Sequence, residues 1–203
     1  MLHPTEAVAG IERGVAMTGR VVAGIADGQW STPSPCAGWT VHDVLNHVVG
    51  GMRIFAAELT GDEPEAEHEA DWLGGDAGGA FTQAAELDLA AWRTPDALSG
   101  TVTISLGQLP SSFAAVIHML EVVVHGVDLA VATEQLHLVD EELCAEALGL
   151  LTAMGGVDAY RIPGVFGPEV PVPRGAPPHE QLAAYLGRHV TETAMTGMGV
   201  GTS

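Results

Sequence analysis

The chain has 203 residues, of which 47% are hydrophobic and 16% are charged, a composition typical of a folded globular protein. Its seven basic side chains are all arginines, it contains no lysine, and its formal net charge is −19. Nucleic acids and anionic membranes are bound by basic surfaces. The sequence therefore predicts no nucleic acid and no membrane as a partner.

The cellular compartment is indicated by what the chain lacks. Its first residues do not have the basic region and apolar run of a signal peptide, and the apolar run at 113–131 carries four ionisable groups. The two cysteines, Cys36 and Cys144, form no close-spaced metal or redox motif. Two cysteines in a chain of this length are typical of a protein in a reducing compartment. A cytoplasmic protein is therefore predicted.

The first half of the chain is predicted to be helical. Apolar residues at helical spacing indicate a first helix over residues 5–27, followed by a proline-rich loop at 31–38. Thr40 and Asp43 have the spacing of a capping box, in which each side chain bonds to the other residue's backbone N–H. They predict the start of a second helix that runs to about Leu59.

A loop, a helix, a strand and a long helix follow. Residues 61–79 are acidic and glycine-rich, which favours a loop, and residues 79–93 form a third predicted helix that ends before a proline. Alternating β-branched residues at 101–106 predict a strand. The fourth predicted helix begins near Pro110 and runs to about Thr133.

The last third of the chain is predicted to be a smaller helical part. A fifth helix is expected from Asp140, as its cap, to about Ala159, and a last helix from about His179 to Val190. Between them, residues 163–178 are rich in proline and glycine, with a short extended piece at 170–172.

These elements predict a mainly α protein with two parts. A four-helix bundle is expected at 1–134, with a small C-terminal α(+β) extension at 135–190 packed on it. Residues 191–203 are small and polar, and a flexible tail is predicted there.

Four polar residues stand out in the fourth predicted helix. His118, Glu121, His125 and Asp128 fall within about 80° of one another on a helical wheel, inside an otherwise apolar run. Burying unpaired polar or charged groups costs several kcal/mol, so the stripe needs partners. A metal ion is the simplest partner for a carboxylate and two imidazoles, and a hydrogen-bonded core is the alternative.

A third ligand would have to come from another helix. Glu121 and His125 are four residues apart and can reach one ion, and His47 lies beside the apolar stripe of the second helix. A set of two histidines and one glutamate suits Zn²⁺ or another divalent ion and leaves positions open for water or substrate. The predicted metal ligands are therefore His47, Glu121 and His125.

The neighbouring polar residues leave alternatives open. His118 is a candidate fourth ligand, a partner of a ligand, or the end of the stripe, and Asp128 either orients a ligand histidine, binds substrate or caps a helix. Cys36 is either a reactive thiol near a helix start or a small packing residue. Trp39 is interpreted as a core anchor in preference to a residue that stacks on a ligand. Arg53 is either a surface residue or an anchor for a carboxylate.

Other catalytic motifs fit poorly. A di-iron bundle would need Glu-x-x-His on two helices, and the second helix has no glutamate before Glu58. The chain has no Gly-x-Ser-x-Gly nucleophile motif and no glycine-rich phosphate loop.

Two segments together carry a family resemblance. Residues 34–47 resemble the pattern PC-x-GW-T-V-x-D-L-x-x-H, and residues 121–130 resemble E/D-x-x-x-H-x-x-D-L-A. Residues 183–188 are similar to a closing Leu-x-Gly-Arg segment. The chain thus resembles the actinobacterial metal-binding branch of the DinB-like superfamily, which includes mycothiol-dependent maleylpyruvate isomerases and mycothiol S-transferases.

The resemblance implies a DinB-like four-helix bundle that holds a divalent metal, usually zinc, through His47, Glu121 and His125. It also makes Asp128 and Arg188 the candidate catalytic residues and the candidates for binding a thiol cofactor. The implied partners are a small-molecule substrate and a low-molecular-weight thiol such as mycothiol.

These expectations give three hypotheses for function. In the first, the metal activates a thiol, which attacks a small electrophile, and Arg188 or Arg53 anchors a carboxylate. In the second, a metal-activated water hydrolyses an ester or amide, with Asp128 or His118 as the general base. The third is a metal-dependent binding protein without turnover, and a homodimer is a further expectation for a one-domain bundle.

Overall fold

The computed structural model describes residues 4–104, 107–162 and 166–190, and it is mainly α-helical, as the sequence predicts. Its longest elements are four helices: α1 (Pro4–Ala23), α2 (Val41–Thr60), α3 (Ala77–Trp92) and α4 (Ser111–Ala132). The remaining elements are the strands β1 (Thr101–Ile104) and β2 (Gly107–Pro110), the helices α5 (Glu141–Ala153) and α6 (Pro178–Tyr185), and single 3-10 turns at Asp27–Gln29, Leu136–Leu138 and Asp158–Tyr160.

The first two helices place the loop that leads to the site. α1 ends four residues earlier than predicted, and a 3-10 turn closed by the Gln29 side chain, which accepts a hydrogen bond from Ala26 N at 2.9 Å, replaces its last turn. α2 begins with the predicted capping box: Asp43 N donates to Thr40 Oγ1 at 3.3 Å, and Thr40 N donates to Asp43 Oδ2 at 2.9 Å. Thr40 and Asp43 thus fix the N-terminus of the helix that carries His47.

The middle of the chain differs from the prediction in two places. α3 begins at Ala77 because the side chain of Asp76 accepts a hydrogen bond from Gly79 N at 2.9 Å and caps the helix. The predicted strand at 101–106 is one arm of an antiparallel hairpin, in which Thr101 pairs with Pro110, while residues 105–106 lie outside the described residues. The second strand was not predicted because Gly107–Pro110 lacks β-branched alternation.

Helix α4 is the central element of the bundle. It is long and apolar enough to span a membrane, but 78% of that apolar stretch is buried among the other helices of the protein. α1 packs along it at close range, since Gly126 of α4 lies against Met17 and Thr18 of α1. Val122, Val123 and Leu129 of α4 belong to the same hydrophobic core as α1 and α2.

The C-terminal helices are shorter than predicted. α5 ends at Ala153, because Gly155 and Gly156 adopt positive φ angles of 100° and 76° that break the helix. α6 ends at Tyr185, two residues before Gly187, which has a φ of 80°. Residues 170–172 form no strand, although Val170 N donates to Ala184 O at 2.9 Å.

Ion pairs connect this C-terminal part to the bundle. Arg13 of α1 donates to Asp140 and to Glu146 of α5 at 2.9–3.2 Å, and Asp140 also caps α5. The division of the chain into a bundle at 1–134 and an extension at 135–190 packed on it stays a prediction. The predicted tail at 191–203 lies outside the described residues.

Candidate metal centre

Three polar side chains from two helices meet at the predicted metal site. His47 lies on α2, and Glu121 and His125 lie one turn apart on α4. Nε2 of His47 lies 3.0 Å, and Nε2 of His125 3.4 Å, from Oε2 of Glu121. All three candidate ligand atoms lie within 4.8 Å of one another. The fold therefore brings together the three residues that the sequence singles out.

The cluster is closed on the α4 side and open on the other. His125 is buried, whereas the side chains of His47 and Glu121 keep 27% and 45% of their surface exposed. Two imidazole nitrogens and a carboxylate oxygen at these separations are a donor set for a divalent first-row metal ion, with room for water or substrate on the exposed side. The residues present fit such an ion.

Burial and hydrogen bonding compete in the protonation of this cluster. Burial opposes a charge on His125, but hydrogen bonds to Asp128 and Glu121 outweigh it and raise the pKa of the imidazole to about 9. Partial burial likewise opposes ionisation of Glu121, but hydrogen bonds from His125 and His47 hold the pKa of its carboxyl well below the ordinary value. Because a metal binds neutral imidazole, metal binding would release the proton of His125.

A buried ion pair lies behind His125. Nδ1 of His125 donates to Oδ2 of Asp128 at 3.0 Å, and Nε of Arg188 donates to Oδ1 and Oδ2 of Asp128 at 2.9 and 3.1 Å. Burial opposes ionisation of Asp128, but the charge of Arg188 and the hydrogen bond from His125 lower the pKa of the carboxyl. With Nδ1 bound in this way, His125 directs Nε2 toward Glu121.

Cys36 lies beside this ion pair. Its Sγ is 3.9 Å from Nη2 of Arg188, and it lies within 4.8 Å of ligand atoms of His125 and Asp128. Burial raises the pKa of the thiol to about 11, despite the opposing charge of Arg188. A thiol that stays protonated near neutral pH is a poor nucleophile, so the structure favours the packing role over the reactive one.

Trp39 and a cavity form the open side of the cluster. The Trp39 ring stacks on His125 at a centroid distance of 5.7 Å and tilts against His47 at 4.8 Å. It also packs against the edge of the core, so the predicted core anchor additionally borders the site. A cavity of about 550 Å³ reaches His47 between Trp39 and the loop that carries His68.

Comparison with known proteins assigns the chain to a family. Residues 11–130 match the family model described as the mycothiol maleylpyruvate isomerase N-terminal domain, and this match covers more than half of the chain. The chain belongs to this family. The DinB-like branch predicted from the sequence motifs is therefore confirmed.

Individual proteins are also similar to this chain. Uncharacterised proteins from two strains of Mycobacterium tuberculosis are 34% identical over 172 residues, which is 84% of this chain and 91% of theirs. Crystal structures of the mycothiol-dependent maleylpyruvate isomerase and of its histidine-to-alanine mutant are similar at 18% and 20% sequence identity. Each alignment covers 76% of this chain and 73% of the other chain. Their TM-scores are 0.49 and 0.48.

His118 does not join the metal cluster. It is buried one turn before Glu121, and its Nε2 lies 2.9 Å from Oδ2 of Asp88 on α3. Trp92 donates to the other oxygen of Asp88 at 3.0 Å. The predicted stripe thus splits into two polar sites. The sequence does not reveal the partner of His118, because Asp88 is one of two acidic residues in α3 and no local spacing relates it to His118.

Arg53 is engaged away from the cluster. Its Nη1 donates to Glu65 at 2.8 Å, its Nη2 donates to Gln83, and its guanidinium lies 5.8 Å from the centre of the Trp72 ring. These contacts support a structural role and leave the predicted carboxylate anchor without support.

Two residues that line the cavity, His68 on the loop before α3 and Asn46 on α2, were not singled out from the sequence. The His68 ring lies edge-on against His47 at a centroid distance of 4.5 Å. Asn46 fixes this loop, since its Nδ2 donates to Ala70 O and its Oδ1 accepts from Trp72 N, both at 2.8 Å. Asn46 stands next to His47 in the sequence, and this is the one local indication of its role. Its contacts with the loop could not be predicted, because the bonded residues are 24 and 26 positions away.

Proposed function

We propose that the protein is an enzyme that binds one divalent metal ion, zinc, and uses a low-molecular-weight thiol such as mycothiol for S-transfer or thiol-dependent isomerisation of a small electrophile. The observation that carries this proposal is the convergence of His47, Glu121 and His125 within 4.8 Å in a member of the mycothiol maleylpyruvate isomerase N-terminal domain family.

In this proposal His47 and His125 bind the metal through Nε2, and Glu121 binds it through a carboxylate oxygen. When bound, a zinc ion supplies Lewis acidity that lowers the pKa of a bound thiol, so that a thiolate is available near neutral pH. The exposed side of the cluster is where the thiol enters, and Trp39 covers His125 and keeps bulk water from it.

The thiol has to come from another molecule. Burial raises the pKa of Cys36 to about 11 and that of Cys144, which is fully buried, to about 12. Neither residue is a competent nucleophile at neutral pH. Mycothiol is the thiol that the family name points to, which makes it the first co-substrate to test.

Asp128 and Arg188 are predicted from the sequence as catalytic and thiol-binding residues, and we propose that they act mainly through His125. Asp128 holds the imidazole in the tautomer that leaves Nε2 free to bind a metal, and Arg188 keeps Asp128 ionised. Nη2 of Arg188 lies 3.9 Å from Sγ of Cys36, so the guanidinium is held behind His125, away from the exposed side of the cluster.

The hydrolase hypothesis needs a general base beside the metal. The two residues considered for that role have other partners, because Asp128 binds His125 and Arg188 while His118 binds Asp88. These contacts favour the thiol-dependent reaction. Cytoplasmic localisation and a homodimer belong to the proposal as well.

Metal analysis tests the first step. Tag-free protein, purified without added metal or chelator, is expected to contain about one zinc ion per chain, and His47→Ala is expected to lose it. His42→Ala is the matched control, because His42 lies on the same helix, is half-exposed and is outside the cluster. Full metal content in the His47→Ala variant would refute the ligand assignment.

Turnover assays test the second step. The metal-loaded protein is expected to consume small electrophiles only when mycothiol or a related thiol is present. Hydrolysis of esters or amides without thiol would favour the hydrolase instead. Tight ligand binding with no turnover of any kind would favour a binding protein.

A further inference from the structure

The cavity at the metal centre is lined by negative charge. Besides the rings of Trp39, His47 and His68, it is bordered by the carboxylates of Asp43 and Glu69. Asp43 accepts hydrogen bonds from Thr40 N at 2.9 Å and from Thr40 Oγ1 at 2.7 Å, and these bonds lower the pKa of its carboxyl. An ionised Asp43 is therefore part of the resting site.

No fixed positive charge balances these carboxylates at the cavity. The chain has seven arginines and no lysine, all seven arginines lie in the described residues, and none of them lines the cavity. Arg188, which is close to the cluster, is paired with Asp128, and Arg53 is bonded to Glu65 and Gln83. Neither charge is free to anchor a carboxylate in the cavity.

Charge also balances within the proposed centre. A divalent ion held by the carboxylate of Glu121 and by one thiolate has no net charge left, because its two positive charges meet two negative ones. An approaching anionic molecule would then be repelled by the carboxylates of Asp43 and Glu69, with no positive charge at the cavity to offset the repulsion. The formal net charge of −19 adds to this repulsion at longer range.

The loop that carries Glu69 is held in place by contacts with α2. Asn46 of α2 bonds to the backbone of residues 70 and 72, and Gly50 provides the space in which the Trp72 ring packs on α2. A Cβ at position 50 would lie 2.6 Å from Nε1 of Trp72. These contacts hold Glu69 beside His68 at the cavity, although its side chain is exposed.

We propose that the carboxylates of Asp43 and Glu69 at the cavity select small molecules without negative charge, so that the thiol and the electrophile are uncharged or cationic. The inference rests on the proposed function and narrows it: S-transfer to a neutral electrophile is favoured over isomerisation of a dicarboxylate. Glu69 acts as a specificity-determining residue, because it sets the charge at the entrance without contacting the metal ligands.

Binding of two matched thiols to Co²⁺-loaded protein tests the inference. The probes are 3-mercaptopropionate and its methyl ester, measured at about pH 8 and low ionic strength through the thiolate-to-cobalt absorption band. Because the two probes differ in thiol acidity, the decisive quantity is how their Kd ratio changes between variants. Glu69→Lys is compared with Glu67→Lys, which makes the same charge change on the same loop outside the cavity lining.

In the wild type we expect the ester to bind more tightly than the acid. Glu69→Lys is expected to shift the ratio toward the acid by about threefold to tenfold, and Glu67→Lys by less than about twofold. An unchanged ratio in Glu69→Lys, or equal shifts in both variants, would each refute the inference. Absence of bound Co²⁺, or of a thiolate band with either probe, would refute the proposed function itself.

Discussion

Arg188 donates from Nε to both carboxylate oxygens of Asp128, at 2.9 and 3.1 Å, and so joins the segment after α6 to the C-terminal part of α4. The pair is 60 residues apart in sequence, and both side chains are buried. Gly187 makes the approach possible: its φ is 80°, and a Cβ there would lie 2.7 Å from the backbone of Gly167. The C-terminal segment thereby supports the wall of the candidate metal centre.

Replacing Arg188 by glutamine is expected to destabilise the protein and weaken metal binding together. The substitution leaves the buried carboxylate of Asp128 without its cation, which typically costs about 3–5 kcal/mol of unfolding free energy. It also loosens the hydrogen bond that orients His125, and loss of such a partner typically lowers metal affinity about 10- to 100-fold. Urea unfolding and a chelator competition titration measure the two effects.

Arg174→Gln is the control for this experiment, because Arg174 is exposed on the loop before α6. It is expected to change the unfolding free energy by less than about 0.5 kcal/mol and to leave metal affinity unchanged. Wild-type stability and affinity in Arg188→Gln would contradict the role given to the ion pair.

The two cysteines are expected to react slowly in the native protein. With pKa values of about 11 for Cys36 and about 12 for Cys144, only a small fraction of either thiol is ionised at pH 7. Compared with an ordinary thiol of pKa about 8.5, alkylation of Cys36 should be at least about a hundredfold slower. Its rate should rise about tenfold per pH unit up to about pH 11, as far as the fold survives.

Iodoacetamide labelling followed by mass spectrometry distinguishes the two positions. Both cysteines should label at ordinary rates after unfolding in urea, which controls for reagent quality. Rapid labelling of Cys36 in the folded protein at pH 7 would instead support the reactive thiol that its position near a helix start allows.

Much of the site was predictable because its determinants are local in sequence. The capping box of Thr40 and Asp43 lies within four residues, and Glu121 and His125 are one helical turn apart. His47 was identified from its place beside an apolar stripe and from a family motif, and the fold brings it 3.0 Å from Glu121. Periodicity and capping chemistry are sufficient for features of this kind.

The remaining parts of the site depend on packing between distant segments. Asn46 reaches the backbone of a loop more than 20 residues later, and His118 reaches Asp88 on α3, 30 residues earlier. Neither pairing has a local spacing that could reveal it. On the helical wheel His118 shares a face with Glu121, and only the crossing of α3 assigns the two residues to different sites.

His118→Ala is expected to lower stability without removing the metal. The substitution leaves the buried Asp88 with Trp92 as its remaining partner and creates a cavity between Phe55 and Trp92, so a loss of about 3–5 kcal/mol is expected. Metal content should stay at the wild-type level, because the partner of His118 is Asp88. Loss of metal together with retained stability would place His118 in the metal centre instead.

The close contact between α1 and α4 gives a prediction about the scaffold that holds the site. A Cβ on Gly126 would lie 2.8 Å from Cε of Met17 and even closer to Oγ1 of Thr18, a hydroxyl that donates to Val122 O at 3.2 Å. Gly126→Ala must therefore push the helices apart or disrupt that hydrogen bond, and it should cost about 1–3 kcal/mol in urea unfolding.

Gly149→Ala is the matched substitution on α5. Position 149 is exposed, and a Cβ there has no neighbour within 4 Å. Because alanine favours helix over glycine, this variant should gain up to about 1 kcal/mol. If both variants were stabilised to the same extent, helix propensity alone would account for the result. The claim that α1 and α4 are in tight contact at Gly126 would then be contradicted. If only Gly126→Ala loses stability, the glycine is required where α4 carries Glu121 and His125 past α1.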